Sequence, residues 1–578
     1  MEIQLGGMTM KNKGIRLGWL AAALVLLGAE VLIGLYVRDD FIRPYGGDIL
    51  VVILLGCLLR GAFPRLGLWL SPAVFTFAVA VEISQHFHLV DRIGLGHIPF
   101  FSILMGNSFA WGDIWSYGVG CVIFLLADWL FRPGVVSLRT KGIHLAYGLV
   151  CTVLANLYLP LMVAPWLLAV MIPGLLFVLI FAGGRVPKTT RRRMKICYHG
   201  ATLLLAFQIS GLISLLYHLW LAAVTLPADP WSVIWSCVLC IVIEAVIFWV
   251  GIICVYCTSV QLGLKMRVYG LLCGMILPLN LIALNVIIHV VREEVRLECE
   301  KEAVNLARRD QKVCATRYPI MMVHGIFFRD SAVLNYWGRI PDELEKNGAT
   351  VRYGNHHSAA SIEDCALELT RRIRAIREET GCDKVNIIAH SKGGLDCRYA
   401  ISELGAGEYI ASLTTINTPH RGCLFAECLL NKIPSKIQTK VADTYNDTLR
   451  KLGDTNPDFL TAVGQLTFSH CTELNKRLKS PPEEIYCQSI GSVMARPRGG
   501  RFPLNFSHRI VTYYDGENDG LVGCNSFAWG QKYTLLRPKG KKGISHGDMV
   551  DINRRNLPDF DVREFYVQLV SDLKQRGL

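Results

Sequence analysis

Ser391 stands in IIAHSKGG, residues 387–394, between two small residues, with an apolar run before it and an amphipathic stretch after it. A serine hydroxyl turns nucleophilic when a base takes its proton. One setting for this is a tight strand-to-helix turn with small residues two before and two after the serine. Ala389 and Gly393 meet that size requirement, although the commoner G-x-S-x-G reads A-x-S-x-G here. The competing reading is an ordinary helix start, with the serine only a cap. If the turn is a nucleophile elbow, the chemistry is acyl transfer, which also needs an imidazole and a carboxylate later in the chain.

The elements around Ser391 must supply that turn. YPIMMVHG (318–325) is a short apolar run, IPDELEKNG a helix with a glycine stop, and ATVRYGN a strand. SIEDCALELTRRIRAIREETG is a longer amphipathic helix opened by Ser361, with acids in its first turn. KVNIIA (384–389) is a further strand, and LDCRYAISELG the helix after the turn. This β-α alternation predicts a mostly parallel sheet with helices on both faces.

From Tyr318 onward the chain resembles the bacterial triacylglycerol lipases of the α/β-hydrolase fold, those of Pseudomonas and Burkholderia. YPIMMVHG, YWGRIPDELEKNGATV, DKVNIIAHSKGGLDCRYA, TTINTPHRG and GENDGLVGCNSFAWG carry the likeness in order, over nearly the whole second half. The resemblance implies that Ser391 is the nucleophile, Asp519 in YYDGENDGLV the acid and His546 in GISHGDMVD the base. Asp515 and Glu517 compete for the acid role, and HRIVTYY before them reads as a strand. His324 and His390 have weaker claims to be the base. The oxyanion donors implied are the backbone N–H groups of Ile326 and Lys392. His420 and Arg421 in TINTPHRG are expected to buttress the site. The amphipathic stretch 424–482 falls where the family keeps its lid, though any helical insertion has that pattern. Asp548 matches a ligand of the family's structural calcium; ARPRGGRFP, upstream of Asp519, offers no matching partner. Cys524 matches a disulfide cysteine, again without an evident partner. No other cofactor is implied.

The first half is of another kind. Mean hydropathy is +0.35 and 52% of residues are hydrophobic, more than a soluble core needs. Apolar spans recur near 15–37, 48–63, 66–88, 110–131, 143–161, 165–183, 198–222, 231–257 and 268–291, then stop. Taken as nine crossings, sixteen Lys and Arg fall on one side: Lys11, Lys13, Arg16, Arg60, Arg65, Arg132, Arg139, Lys141, Arg185, Lys188, Arg191, Arg192, Arg193, Lys195, Lys265 and Arg267. Arg38, Arg43 and Arg92 are the three on the other. Positive residues stay inside, so the amino terminus is cytoplasmic and everything after 291 lies outside. Two of the weaker spans can instead pair as re-entrant segments, giving an even total. The first span begins like a signal peptide but is too long and lacks a clear cleavage site, so it reads as a retained anchor. RRRMK at 191–195 is a topology signal rather than a nucleic-acid contact.

Ionisable residues inside spans are costly and often functional. Glu30, Glu82, Asp128 and Glu244 are such residues here, Glu82 lying beside Gln85, His86 and His88 near a span end. RPYGGDIL, VEISQHFH and FAWGDIWSYGVG, within residues 17–131, resemble an uncharacterised family of small bacterial membrane proteins. That likeness implies a shared site for Glu82 and Asp113. The stretch 292–312, REEVRLECEKEAVNLARRDQK, reads as a charged helical stalk and solvated spacer. Nine of the 19 cysteines precede residue 292 and ten follow it, without metal-site spacing.

The expectation is a polytopic α-helical membrane domain (1–291), a charged linker (292–316) and an α/β-hydrolase domain (317–578), outside the bacterial cell membrane. Its function would be to cleave carboxylic esters, of lipids above all, with no nucleic-acid partner. Two alternatives stand beside it. One is a phospholipase, acyltransferase or thioesterase with the same triad; the other is a transporter or sensor whose hydrolase-like domain only binds.

Overall fold

The computed structural model describes residues 2–39, 45–63, 70–86, 111–131, 138–181, 191–225, 228–273, 279–326, 335–357, 359–451, 454, 457–537, 540, 542–557 and 560–578. Two compact units divide the chain, Met1–Val295 and Arg296–Leu578.

In the second unit the strands are β1 (Ile320–Val323), β2 (Val351–Tyr353), β3 (Val385–His390), β4 (Ile410–Ile416), β5 (Tyr486–Ser492) and β6 (Lys532–Leu536). They form one sheet in the order β2-β1-β3-β4-β5-β6, with every neighbouring pair parallel. β1, β3 and β4 are buried along their whole length. This explains why they read as near-continuous apolar runs rather than an alternation. Odd and even positions still feed different cores. Met322, Ile388 and Ile416 pack with Trp337 and Tyr566 on one face; Val323, Ile387 and Leu413 pack with Leu369 and Ile373 on the other. The helix Ile362–Thr380 begins where Ser361 Oγ accepts the Asp364 N–H at 3.1 Å and ends at Gly381, φ 65°.

Two expectations are corrected. HRIVTYY is not a strand but part of the helix Leu504–Asp515, closed by Gly516 at φ 75°. Its β-branched run favours a strand by propensity, but the helix needs to bury little; only Val511 is fully covered. Nor is the charged stalk a solvated spacer. From Arg296 onward, the helix Leu279–Arg308 packs on the hydrolase core. Glu298 bonds Arg339 at 3.2 Å and Arg563 at 3.1 Å, while Lys301 reaches Glu564 at 2.6 Å and Asp561 at 3.0 Å. The helix face that looked merely charged is an ion-pair seam, whose partners lie more than 200 residues away in the case of Arg563, Glu564 and Asp561.

The first unit is helical in its described residues. Among the described residues three helices are long and apolar enough to cross a membrane, Leu17–Tyr36, Arg192–Thr225 and Pro230–Thr258. Gly47–Ala62, Leu70–His86, Trp111–Phe131, Leu138–Ala155 and Leu168–Phe181 coincide with five of the shorter apolar spans. The span at 268–291 falls on two helices, Gly263–Cys273 and the start of Leu279–Arg308. A Cβ on Gly200 would lie 2.8 Å from the Gly251 carbonyl, so these two glycines let the helices Arg192–Thr225 and Pro230–Thr258 approach closely. Arg60, counted above as a loop charge, is buried and pairs with Asp128 at 2.7 Å. Glu82 is buried and accepts the Tyr117 hydroxyl at 3.3 Å, and Glu244 accepts the Ser210 hydroxyl. His88 and the connecting segments that carry Arg43, Arg65, Arg92, Arg132, Arg185 and Lys188 lie outside the described residues.

Candidate active site

β3 ends at His390, and the helix Lys392–Glu403 starts two residues later, leaving Ser391 alone in the turn at φ 55°, ψ −130°. A non-glycine residue there carries backbone strain of about 1–3 kcal/mol. The surroundings hold it: the Ser391 N–H donates to the Ile416 carbonyl at 2.9 Å, and its own carbonyl accepts the Gly394 N–H at 3.1 Å. Gly393 is required by close approach, because a Cβ on it would run into the His324 carbonyl. Ala389 is fully buried and its methyl group fits. This is the strand–turn–helix geometry of a nucleophile elbow rather than a plain cap; the Ser391 side chain makes no capping bond.

His546 and Asp519 come together on the loops beyond the carboxyl ends of the strands. His546 Nδ1 meets Asp519 Oδ2 at 2.5 Å, and the His546 N–H donates to the Asp519 carbonyl at 2.8 Å. Asp519 is buried, and its carboxylate also accepts Asn417 Nδ2 at 2.6 Å, the Leu521 N–H at 2.9 Å and the Val522 N–H at 2.8 Å. Four donors hold it in one orientation. The competing carboxylates are engaged elsewhere. Asp515 accepts the N–H groups of Leu424 and Phe425 at the start of the helix Leu424–Lys432, and Glu517 forms an exposed pair with Arg537.

Ser391 and His546 line one cavity of about 710 Å³. Ile326, Leu504, Leu521 and Val550 give it an apolar wall, and Tyr445 of the helix Ser435–Lys451 closes part of it. That helix is one of four in the stretch 424–482, with Leu424–Lys432, Phe459–Gly464 and Phe468–Arg477. Ile326 lies in the lining of the same cavity as Ser391, and Lys392 is the first residue of the helix after it.

Beneath the elbow lies an arrangement that sequence reasoning missed. The Lys392 side chain turns inward and pairs with Asp396 at 2.7 Å, each group 1% exposed, and it donates to Cys365 Sγ at 3.3 Å. Burial works to lower the Lys392 pKa, but Asp396 and Cys365 outweigh it and hold the ammonium above its ordinary value. Burial pushes Asp396 up to about 6 against the pull of Lys392, and pushes the Cys365 thiol up to about 12. His356, Cys365 and Asp396 have the spacing of a metal site, yet Lys392 already supplies the cation there. An acid four residues after a buried lysine is the signal that was available, one helical turn apart.

Asn417 and Tyr336 were also missed. Asn417, at φ 48° just past β4, bridges Asp519 and Ser492. Tyr336 Oη accepts the Gly325 N–H at 3.1 Å and is bonded to His390 Nδ1 at 2.7 Å. Burial together with His546 holds the His390 pKa well below the usual range. His324 stacks on His356 at 4.0 Å. His420 bonds Thr415 at 2.9 Å and stacks on Trp529, and the Arg421 N–H donates to Ser526 Oγ, so this loop braces the strand ends.

The Asp548 carboxylate accepts the Ser545 N–H at 3.0 Å and its hydroxyl at 2.7 Å, and among the described residues no cluster of three donors includes it. Cys524 is a free thiol, as are the other described cysteines.

Residues 37–121 match the family described as "Protein of unknown function (DUF2809)". The second half is 35% identical over 295 residues to the triacylglycerol lipase of Pseudomonas fragi, covering 46% of this chain and 98% of that protein. It is 32% identical over 178 residues to that of Pseudarthrobacter phenanthrenivorans, covering 29% of this chain and only 55%, about half, of that relative's length. The crystal structure of mature Bacillus licheniformis lipase BlEst2 aligns at 21% identity and a TM-score of 0.34, over 44% of this chain and 92% of that one. Identity at the level of the Pseudomonas fragi protein, across nearly its entire length, shows that this chain belongs to the triacylglycerol lipase family.

Proposed function

We propose that the protein is a membrane-anchored serine hydrolase that cleaves carboxylic esters of lipids through an acyl-enzyme. The observation that carries this is the shared cavity: Ser391, on a strained elbow, opens into the same space as His546, whose Nδ1 is bonded to the buried Asp519. His546 takes the Ser391 proton as the oxygen attacks the ester carbonyl, then passes it to the leaving alcohol. Water, activated by the same imidazole, releases the acid. Asp519 keeps the ring oriented and stabilises its protonated form. The N–H groups of Ile326 and Lys392 meet the oxyanion. Four donors on Asp519 and the pair with Asp396 under Lys392 restrain both ends of this constellation.

The apolar helices of the first unit support anchoring, and the excess of Lys and Arg on alternate connections supports an amino terminus inside and a hydrolase domain outside. Tethering raises the concentration of the site at its lipid substrate. The test is fluorophosphonate labelling of membranes that contain the full chain, with Ser391→Ala alongside and short and long acyl esters assayed in parallel. Loss of labelling and hydrolysis together in the variant is the expected result. Equal labelling of both proteins, or of neither, overturns the nucleophile assignment.

A further inference from the structure

The cavity that holds Ser391 and His546 is not apolar throughout. Arg501 and Arg554 line it together with Asn335 and Asn553. Arg501 belongs to the segment RPRGGRFPLNFSHR, which places Arg496, Arg498, Arg501 and Arg509 within 14 residues. Among the described residues no carboxylate pairs with Arg501; its polar contact is a long one, 3.4 Å, to Asn553 Oδ1. Arg555, beside Arg554, reaches only the Gly499 carbonyl, at 3.3 Å. An esterase for neutral substrates has no use for a guanidinium without a carboxylate partner, such as Arg501, at its mouth, whereas a substrate carrying an anion does. Guanidinium is also the side chain whose fork matches the oxygens of a phosphate. Next to these cations, Phe502 is 84% exposed and Phe506 is 69% exposed. The same rim thus offers aromatic surface for acyl chains or a bilayer interior and positive charge for the headgroup layer.

We propose that Arg501, with Arg554, binds the phosphate of an anionic glycerolipid while its ester bond sits at Ser391. The preferred substrates are then phosphate-bearing acyl esters rather than neutral acylglycerols. This rests on the hydrolase reading above and names its substrate class. Arg501 is a specificity residue; it touches the headgroup and not the reacting atoms.

The experiment uses the full-length protein in non-ionic detergent micelles. Phosphatidylglycerol, phosphatidylcholine and diacylglycerol with the same acyl chains are presented at equal mole fraction. The expected result is a higher kcat/KM for phosphatidylglycerol, and a fall of about tenfold in its ratio to diacylglycerol in Arg501→Gln, carried by KM. Rates equal for all three lipids, or a ratio left unmoved by Arg501→Gln, overturn the proposal. A non-hydrolysable anionic ether lipid is added to diacylglycerol micelles to separate headgroup binding from attraction to a charged surface. Acceleration of diacylglycerol hydrolysis would assign the arginines to surface docking and overturn headgroup recognition; inhibition supports it. Fluorophosphonate labelling of Arg501→Gln keeps the outcomes distinguishable. A labelled enzyme without anionic preference refutes this proposal alone, whereas an unlabelled wild type refutes the hydrolase reading.

Discussion

The two units treat the same residue types in opposite ways. In Met1–Val295, large apolar side chains such as Val25, Ile241 and Trp249 are more than half exposed, and buried ionisable groups are dispersed among the helices: Asp128 pairs with Arg60, and Glu294 with the partly exposed Arg193. In Arg296–Leu578, the interior holds the apolar side chains, and the most exposed large ones, Phe502, Phe506 and Tyr513, fall in one short segment, of which Phe502 lines the cavity. Its buried polar groups converge on the carboxyl ends of β3 and β4, where Ser391, Asp519, Asn417 and Lys392 lie. An apolar exterior is the kind that a lipid surrounding favours; buried polar groups gathered at one end of a sheet are the kind that a site needs.

The sharpest way to break this contrast is at Asp519. Asp519→Asn should lower kcat about 10³–10⁴-fold, since the His546 ring loses its orienting acceptor. Asp515→Asn should leave kcat within a few-fold, because Asp515 only caps a helix. Equal losses would show that the acid had been misassigned.

Next come the buried ion pairs, which test whether ties in the two units follow the same rule. Lys392→Met leaves Asp396 buried and unpaired and should cost about 3–5 kcal/mol; Lys392→Met with Asp396→Leu should recover much of it. Arg60→Met with and without Asp128→Leu asks the same question of the first unit. Thermal midpoints in detergent read both cycles. No recovery in either double variant would mean that the charges, not the packing, hold these helices.

A smaller effect concerns pH. His390 and His420 are buried with pKa values pushed well below the usual histidine range, in both cases mainly by burial. The unfolded chain binds protons at these positions below about pH 6.5 and the folded chain does not, so stability falls as pH drops, by up to about 1.4 kcal/mol per pH unit for each histidine. Asp396, raised to about 6, acts in the opposite sense: the folded state gains protons first, and stability rises as pH falls from about 6 toward 4. The two histidines outweigh the one carboxyl. The hydrolase unit should therefore be less stable at pH 5 than at pH 7 by hydrogen exchange, and His420→Gln should flatten that slope. The smallest change expected is the loss of the helix cap in Asp515→Ala, about 1 kcal/mol in a denaturant midpoint.

Much of the second unit was legible because its signals are local. The apolar runs of β1 and β3, the Ser361 start and the small residues around Ser391 each report a conformation within a few residues. HRIVTYY misled, since β-branched residues favour strands while its helix is set by neighbours and by Gly516. The stalk misled for a related reason: Glu298 and Lys301 look like solvent charges until their partners, Arg339, Arg563 and Glu564, are brought to them by the fold.

The sequence by itself determined the division into an apolar helical half and a β-α half and the small residues that permit a sharp turn at Ser391. Periodicity, charge and residue size suffice for these; the order Ser391, Asp519, His546 is what the family resemblance implies. Only the tertiary structure put Asp519, rather than Asp515 or Glu517, against His546, buried the Lys392–Asp396 pair beside Ser391, and brought Arg501 to the cavity of Ser391. Those outcomes depend on which distant groups come within about 3 Å of one another, a distance at which hydrogen bonds form or fail.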